Sequence, residues 1–336
     1  MILKGDDFEM RDVSNIKRIM EIKDILLKNT DENHELSLLD IINQLKISFG
    51  SDYHVTKNTV KNAIEELRNC NINIEKNVVE NNKVVYRYQD RKFEIHELRM
   101  LVDAVSSARF ITPEESTQLI EKIKSLTSTH LAKKLHNQIT VDPSVKAQNE
   151  QVRYHIDNIH TSISKKRRIT FQYGNYNINK KFVLRHHGKI YDVIPLGLVW
   201  YNDYYYLVAQ EVKDNAIKHF RVDRMRKVLI SEDTFIPLDF DITNHMKKVF
   251  LMYPGGNENV EIHFQNQLVN VVIDRFGKDV VIRQVDDYSF SIKVNAAISE
   301  GLIRWILTWG SDAKVISPKF LADKVKEEAI KMIQLY

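Results

Sequence analysis

The chain has one cysteine, Cys70, in 336 residues. A lone thiol closes no internal disulfide and builds no cysteine-rich zinc site, which fits a reducing compartment. Glycine (10) and proline (6) are scarce, and this argues against long low-complexity linkers. No apolar run approaches the ~20 residues that cross a bilayer. Residues 1–7 show no basic region followed by an apolar stretch, so no secretory leader is read. The expectation is a soluble, cytoplasmic protein with no membrane partner. Phosphate loop, dinucleotide fingerprint, nucleophile elbow and zinc-ligand spacing are missing too. No cofactor and no metal are called for, and enzyme activity is not the expected role.

What is present is length and a locally one-sided charge. A chain this long exceeds one compact core, so two or more domains are expected. The excess of 49 Lys and Arg over 45 Asp and Glu is a net charge of only +4, but the distribution carries more meaning than the sum. Residues 164–190 hold eight Lys or Arg and no acid, which creates a positive field within a folded region.

The hydrophobic periods divide the chain. Residues 14–28 place Ile16, Ile19, Ile22, Leu26 and their neighbours at helical spacing behind Ser14 as cap. A second helix is predicted over 37–45 and a third over 56–69. Two strand-like runs, 72–75 and 84–88, flank a polar turn at Asn81 and Asn82. Three helices and then a β-hairpin is the order of a winged helix-turn-helix. Amphipathic helices follow at 93–110 and 113–126, the second opened by Thr112, Pro113 and Glu115. A polar connector covers 128–150, and another helix covers 152–164. Short strands with close turns then suggest a small barrel. The last hundred residues read βαββαβα, a ferredoxin-like α+β order with an added helix.

Two places have the composition to bind nucleic acid. The third predicted helix buries Val60, Ala63, Ile64 and Leu67 and turns Lys57, Asn58, Lys61 and Asn62 outward, while Glu65 and Glu66 come later. A recognition helix enters the major groove by its first turns, where Asn pairs with adenine edges and Lys with guanine or phosphate. Thr56, Lys57, Asn58, Thr59, Lys61 and Asn62 are the candidate DNA contacts, with Arg87 from the hairpin. A solvated helix face of the same composition is the bland alternative. In the barrel, Arg221 and Arg224 offer guanidinium forks for phosphate, and Tyr204, Tyr205 and Tyr206 offer rings for stacking. By strand alternation Tyr205 faces away from the other two. An ion pair of Asp223 with one arginine is the structural alternative there. His186 and His187, read as neighbours on a strand, point to opposite faces and do not suggest a metal.

Four blocks of the barrel, 169–173, 191–199, 204–209 and 219–225, resemble the WYL family of bacterial regulators in order and spacing. The family's naming Trp is replaced by Tyr205, followed by Tyr206 and Leu207. Looser matches at 274–277, 305–307 and Ser317-Pro318 resemble the extension that often follows this domain. The resemblance implies a multidomain α+β chain. A winged helix-turn-helix would occupy residues 1–92 and a helical linker and dimerisation region 93–150. An Sm-like or SH3-like β-barrel would occupy 151–237, and a ferredoxin-like α+β extension 238–336. It also implies a homodimeric transcription factor whose grip on double-stranded operator DNA responds to single-stranded nucleic acid or a nucleotide. The expected effector contacts are Arg185, His186, Tyr206, His219, Arg221 and Arg224. The rival readings are an Sm-like RNA-binding protein and a nucleotide-processing enzyme.

Overall fold

The computed structural model describes residues 13–135, 146 and 151–336. Residues 1–12 and most of the predicted connector beyond 135 lie outside the described residues. The chain forms two compact units, Met1–Gln148 and Asn149–Tyr336.

In the first unit three helices, α1 (Asn15–Asn29), α2 (Leu38–Phe49) and α3 (Lys57–Asn69), share a core with a small antiparallel sheet. Each begins where a hydroxyl can satisfy an orphan N–H. Ser14 accepts from Lys17, Ser37 forms a reciprocal capping box with Asp40, and Thr56 accepts from Thr59. The sheet has the order β1-β3-β2, with β1 (Leu36–Ser37), β2 (Ile74–Val79) and β3 (Lys83–Tyr88). Asn81 and Asn82 turn the hairpin with positive φ, a conformation asparagine tolerates. The two-residue β1 escapes periodicity because it is too short to alternate. Ile22, Leu26, Ile41, Leu45, Val60 and Ile64 are wholly buried beneath the sheet's Tyr86. Helices α4 (Ile95–Ser107) and α5 (Pro113–Lys124) then pack on each other, and the capping box of Thr112 and Glu115 forms. The predicted polar connector in fact starts with a short helix, α6 (Thr129–Lys134), capped by Ser128.

In the second unit α7 (Val152–Ser164) covers a six-stranded antiparallel sheet. Its strands are β4 (Arg167–Tyr176), β5 (Phe182–Leu184), β6 (Ile190–Tyr201), β7 (Tyr204–Glu211), β8 (Ile217–Arg221) and β9 (Met225–Thr234). Their order is β5-β4-β6-β7-β8, with β9 also paired to β4. Phe171, Tyr191 and Phe220 stack inside. Asn202 and Asp203, both at positive φ, close the β6–β7 hairpin in a two-residue turn whose twist matches the strands. At Gly174 a Cβ would come within 2.6 Å of the Val183 carbonyl oxygen, so only glycine lets β5 lie against β4.

Helix α8 (Ile242–Lys248) leads into β10 (Gly256–Gln265), α9 (Val269–Phe276), β11 (Ile282–Gln284), β12 (Ser289–Ile298), α10 (Glu300–Leu307), β13 (Ala313–Ser317) and α11 (Lys319–Ile333). The sheet order is β11-β12-β10-β13, every neighbouring pair antiparallel. Its core joins Ile262, Phe264, Ile292, Leu302, Ile306 and Leu321.

Ile64 is wholly buried where α3 meets α1 and α2. Ile64→Ala removes its methyls and leaves a cavity, so it should lower the first unit's stability by about 2–5 kcal/mol. The denaturant midpoint should fall with its slope unchanged.

Candidate nucleic-acid interface and ligand site

The first surface is the start of α3. Its four buried residues, Val60, Ala63, Ile64 and Leu67, fix the rotation of the helix, and Lys57, Asn58, Lys61 and Asn62 are therefore exposed together. Thr56 is spent on the cap: its hydroxyl accepts the Thr59 N–H at 3.2 Å and meets the Thr59 hydroxyl at 2.9 Å. Among the described residues no carboxylate lies within ion-pair distance of Lys57 or Lys61, whereas Glu65 is paired with Arg68 at 3.2 Å toward the helix end. The first two turns thus present two free cations and two amides.

Arg87 differs from the expectation of a phosphate contact. Its guanidinium meets Glu75 at 2.6 Å, approaches Glu35 at 4.0 Å and donates to the Glu32 carbonyl at 3.2 Å. The hydrogen bond to Glu75 raises its pKa. Strand register explains this, because Glu75 and Arg87 are direct cross-strand partners of β2 and β3. Sequence spacing of twelve residues did not reveal the pairing.

The second surface is on the sheet of the second unit. Tyr206 of β7 lies directly opposite Arg221 of β8. Arg221 is held on three sides. Its Nε and Nη2 donate to the two oxygens of Asp223 at 3.1 and 2.8 Å, its guanidinium carbon lies 3.5 Å from the Tyr204 ring centre, and its backbone N–H donates to the Tyr173 hydroxyl at 3.1 Å. Burial works against the Arg221 charge, but the Asp223 hydrogen bonds outweigh it and raise its pKa. A three-residue turn after β8, Val222–Arg224, sets Asp223 and Arg224 beside it. Arg224 donates to the Asn175 side chain at 3.3 Å. Arg185 lies 5.7 Å over the ring of Tyr173. Burial raises the hydroxyl pKa of Tyr206 and Tyr173, while Arg221 and Arg224 act on the first and Arg224 and Arg185 on the second in the opposite sense. Both phenols therefore stay protonated and able to donate.

Arg185, Tyr206, Arg221 and Arg224 are thus neighbours through Tyr173, and Asp223 pairs with Arg221. The ion pair considered in the sequence forms with Arg221, and among the described residues no carboxylate is seen within ion-pair distance of Arg185 or Arg224. Tyr204 and Tyr206 share this side, while Tyr205 stacks edgewise on Trp200 at 5.0 Å, as alternation requires. Tyr173 and Asn175 were not singled out in the sequence, and Tyr204 was read there only as a stacking ring, not as a partner of Arg221. Only the β4–β6–β7–β8 register, which spans nearly fifty residues between Tyr173 and Arg221, reveals them.

The remaining histidines are placed differently. His186 and His187 are not on a strand; both have positive φ in a turn after β5 and are exposed. The alternation argument therefore does not apply to them. His219 is engaged away from the arginines: its Nδ1 is 2.8 Å from the Met252 carbonyl oxygen and its Nε2 is 2.9 Å from His245 Nε2. Of the one-sided basic stretch, Arg168 reaches Asp192 and Asp233 and Lys189 reaches Glu211, so part of its charge is matched from later strands. Among the described residues no group of three or more His, Cys, Asp or Glu could hold a metal, and no helix is long and apolar enough to cross a membrane.

The comparisons with known proteins fall on these elements. A WYL domain matches residues 154–230 and a WCX domain matches residues 256–333. The chain is 25% identical over 256 residues to the uncharacterized HTH-type transcriptional regulator YobV of Bacillus subtilis (strain 168), covering 75% of this chain and 79% of that protein. Similar solved structures include proteasome accessory factor B/C (PafBC) of Arthrobacter aurescens, at TM-score 0.27 and 16% identity. That match covers 92% of this chain but 45% of the PafBC chain, so this chain spans less than half of it. Another is a CRISPR Cas-related protein, at TM-score 0.37 and 14% identity, covering 96% of this chain and 91% of the other. The second unit is therefore a WYL domain followed by a WCX domain. The chain thus carries a WYL domain and a WCX domain and is similar to an HTH-type transcriptional regulator.

The turn that carries Asp223 and Arg224 rests on a buried base. His155 of α7 is 4% exposed, hydrogen-bonds the Val222 backbone and has a pKa lowered from 6.5 to about 4, chiefly by burial. A lowered histidine pKa means that the unfolded chain takes up the proton first. The stabilisation is full above pH 6.5 and is lost as pH falls toward 4. Between roughly pH 7 and pH 5 the second unit should lose about 2 kcal/mol from this group. Urea midpoints at the two pH values check it, and His155→Gln should remove that share of the dependence.

Proposed function

We propose that the chain is a cytoplasmic, DNA-binding transcriptional regulator whose operator affinity is set by an anionic ligand at its WYL domain. The observation that carries this reading is the first two turns of α3, where Lys57, Asn58, Lys61 and Asn62 are exposed together and, among the described residues, no carboxylate lies within ion-pair distance of either lysine. Three helices with a three-stranded sheet, its hairpin following α3, fit a winged helix-turn-helix, with α3 as the element that enters the major groove. The HTH-type name of YobV supports it.

The effector site is the Arg185, Arg221, Arg224, Tyr206 cluster. Guanidinium forks take phosphate oxygens bidentately, the phenols donate to the same oxygens, and the Tyr rings accept a base by stacking. Single-stranded nucleic acid or a nucleotide fits this set. Asp223 keeps Arg221 oriented in the absence of ligand, and Arg224 and Arg185 supply the unmatched charge. The strand order of the WYL sheet, with a helical turn between β8 and β9, suits an Sm-like or SH3-like barrel, and the βαββαβ order of the WCX region suits a ferredoxin-like module. A homodimer with α4 and α5 in its interface would put two α3 helices on a two-fold operator. Effector binding would then change operator affinity by a coupling free energy of about 1–3 kcal/mol. No catalytic step is assigned.

Two double variants separate the halves. Lys61→Ala with Asn62→Ala should abolish sequence-specific duplex binding in fluorescence anisotropy and leave single-strand binding intact. Arg221→Ala with Arg224→Ala should do the reverse. If the arginine pair is lost and the response to single-stranded DNA persists in full, the effector site is elsewhere. A preference for structured RNA over duplex DNA would favour the Sm-like RNA-binding reading, because a recognition helix does not enter the narrow A-form groove.

A further inference from the structure

A second, chemically different recess lies beside α8. It is a cleft of about 520 Å³ between β6, α8 and α9 of the second unit. Its walls are apolar: Leu198 and Trp200 from β6, Ile242 and Met246 from α8. Its charged groups are both cationic, Lys247 and Arg275, and Thr243 adds a hydroxyl. This is the size and lining of a small-molecule site, with apolar walls and a few convergent polar groups. Trp200 is 48% exposed at its mouth.

The cleft is built into the packing. The α8 helix sits on β6 through Ile242, whose Cδ1 would lie 2.5 Å from a Cβ on Gly197, so glycine admits the helix there. His219 and His245 meet from the barrel and from α8 and fix the same helix. Arg275 reaches over from α9, and its Nη2 donates to the Val249 carbonyl at 2.7 Å and the Lys247 carbonyl at 3.3 Å. These bonds complement the negative end of α8, but they occupy a single nitrogen of the fork. The guanidinium lies 4.2 Å over Phe250 and 5.5 Å from the Phe276 ring centre. Among the described residues neither Arg275 nor Lys247 has a carboxylate within ion-pair distance. Burial pushes the Arg275 pKa down, offset in part by Tyr201. A half-buried arginine compensated only by ring faces and carbonyls, at the rim of an apolar cleft, is an unfilled anion site: a paired charge is far cheaper to bury than an unpaired one.

We propose that this cleft binds a small organic carboxylate with an apolar body, aromatic or acyl. The carboxylate meets Arg275 and Lys247, and the body lies along Trp200, Leu198, Ile242 and Met246. This goes beyond the regulator reading and is independent of the effector cluster. The two sites differ in chemistry. The cluster offers forks, phenols and stacking rings for a phosphodiester, while the cleft offers aliphatic surface and a cationic end for an amphipathic acid. Because α8 is clamped to the barrel by Ile242 and His245 and to α9 by Arg275, an occupant touches the WYL sheet and the WCX module at once.

The test uses the full chain, with 2-naphthoate and decanoate as probes and 2-naphthalenemethanol as the uncharged control. Binding is read by calorimetry and by tryptophan fluorescence. Naphthoate should quench Trp200 emission, Trp200→Phe should abolish the quench, and the alcohol should bind at least about tenfold more weakly. Arg275→Gln also weakens the α8 end, so the deciding variants are Lys247→Glu and Thr243→Glu, both at exposed positions lining the cleft. Each should weaken naphthoate about tenfold or more while far-ultraviolet circular dichroism stays unchanged. Arg221→Ala with Arg224→Ala should leave naphthoate binding intact. Equal affinity for acid and alcohol, no binding of either acid, or loss of binding only in the arginine-pair variant would each overturn the proposal. None of these results bears on duplex binding through α3, so failure here is distinguishable from failure of the regulator reading.

Discussion

The second unit shows one electrostatic imbalance: Arg185, Arg221 and Arg224 lie around Tyr173, and among the described residues only Asp223 is seen paired with any of them, with Arg221. Asp223 holds Arg221 by two hydrogen bonds, and the Tyr204 ring closes the opposite face. That clamp fixes one guanidinium without neutralising the others. A fully paired cluster would have little reason to bind an anion, and a free one would lose too much side-chain entropy on binding. The arrangement lies between these limits, with one arginine pre-oriented and two available. The strand framework exists to keep it so. Phe171, Tyr191 and Phe220 fill the interior, while Tyr173 sends its hydroxyl through the same layer to the Arg221 backbone.

The first unit uses the same logic on a helix. Four buried side chains fix the rotation of α3, and the polar residues between them fall on one exposed face. Its acids are confined to the end of the helix, where Glu65 is already paired to Arg68. The hairpin shows the contrast. Arg87 has the residue type of a phosphate contact, yet the register sets it against Glu75. Residue type alone did not decide between a binding cation and a structural one; the partner did.

This is also where legibility in the sequence ended. Elements with a strong period or a chemical start signal were readable: α1 with its Ser14 cap, α2 and α3 by their apolar spacing, the Thr112 capping box, α7, and the βαββαβ order of the C-terminal region. The two-residue β1 and the six-residue α6 carry too few periods to be seen. The family resemblance rested on four strand blocks and identified Arg221, Arg224 and Tyr206 before any geometry. What it could not supply was pairing across strands: Asp223 on Arg221, Tyr173 beneath both, and His219 drawn off to His245 and Met252. Those contacts depend on register and on a segment, 238–255, whose seating on the WYL sheet has no local sequence signature. The cleft beside α8 belongs to the same class, because its walls come from three elements far apart in the chain.

The central claim is that unmatched positive charge at two separate places grips nucleic-acid backbones, and counterion release measures it directly. The measurement is the dependence of binding on salt concentration for a duplex and for a single-stranded oligonucleotide. Both logarithmic plots should be linear with negative slope. Replacing Arg221 and Arg224 should flatten only the single-strand line, and replacing Lys57 and Lys61 only the duplex line. Binding that is absent at low salt, or that holds constant as salt rises, would contradict the account.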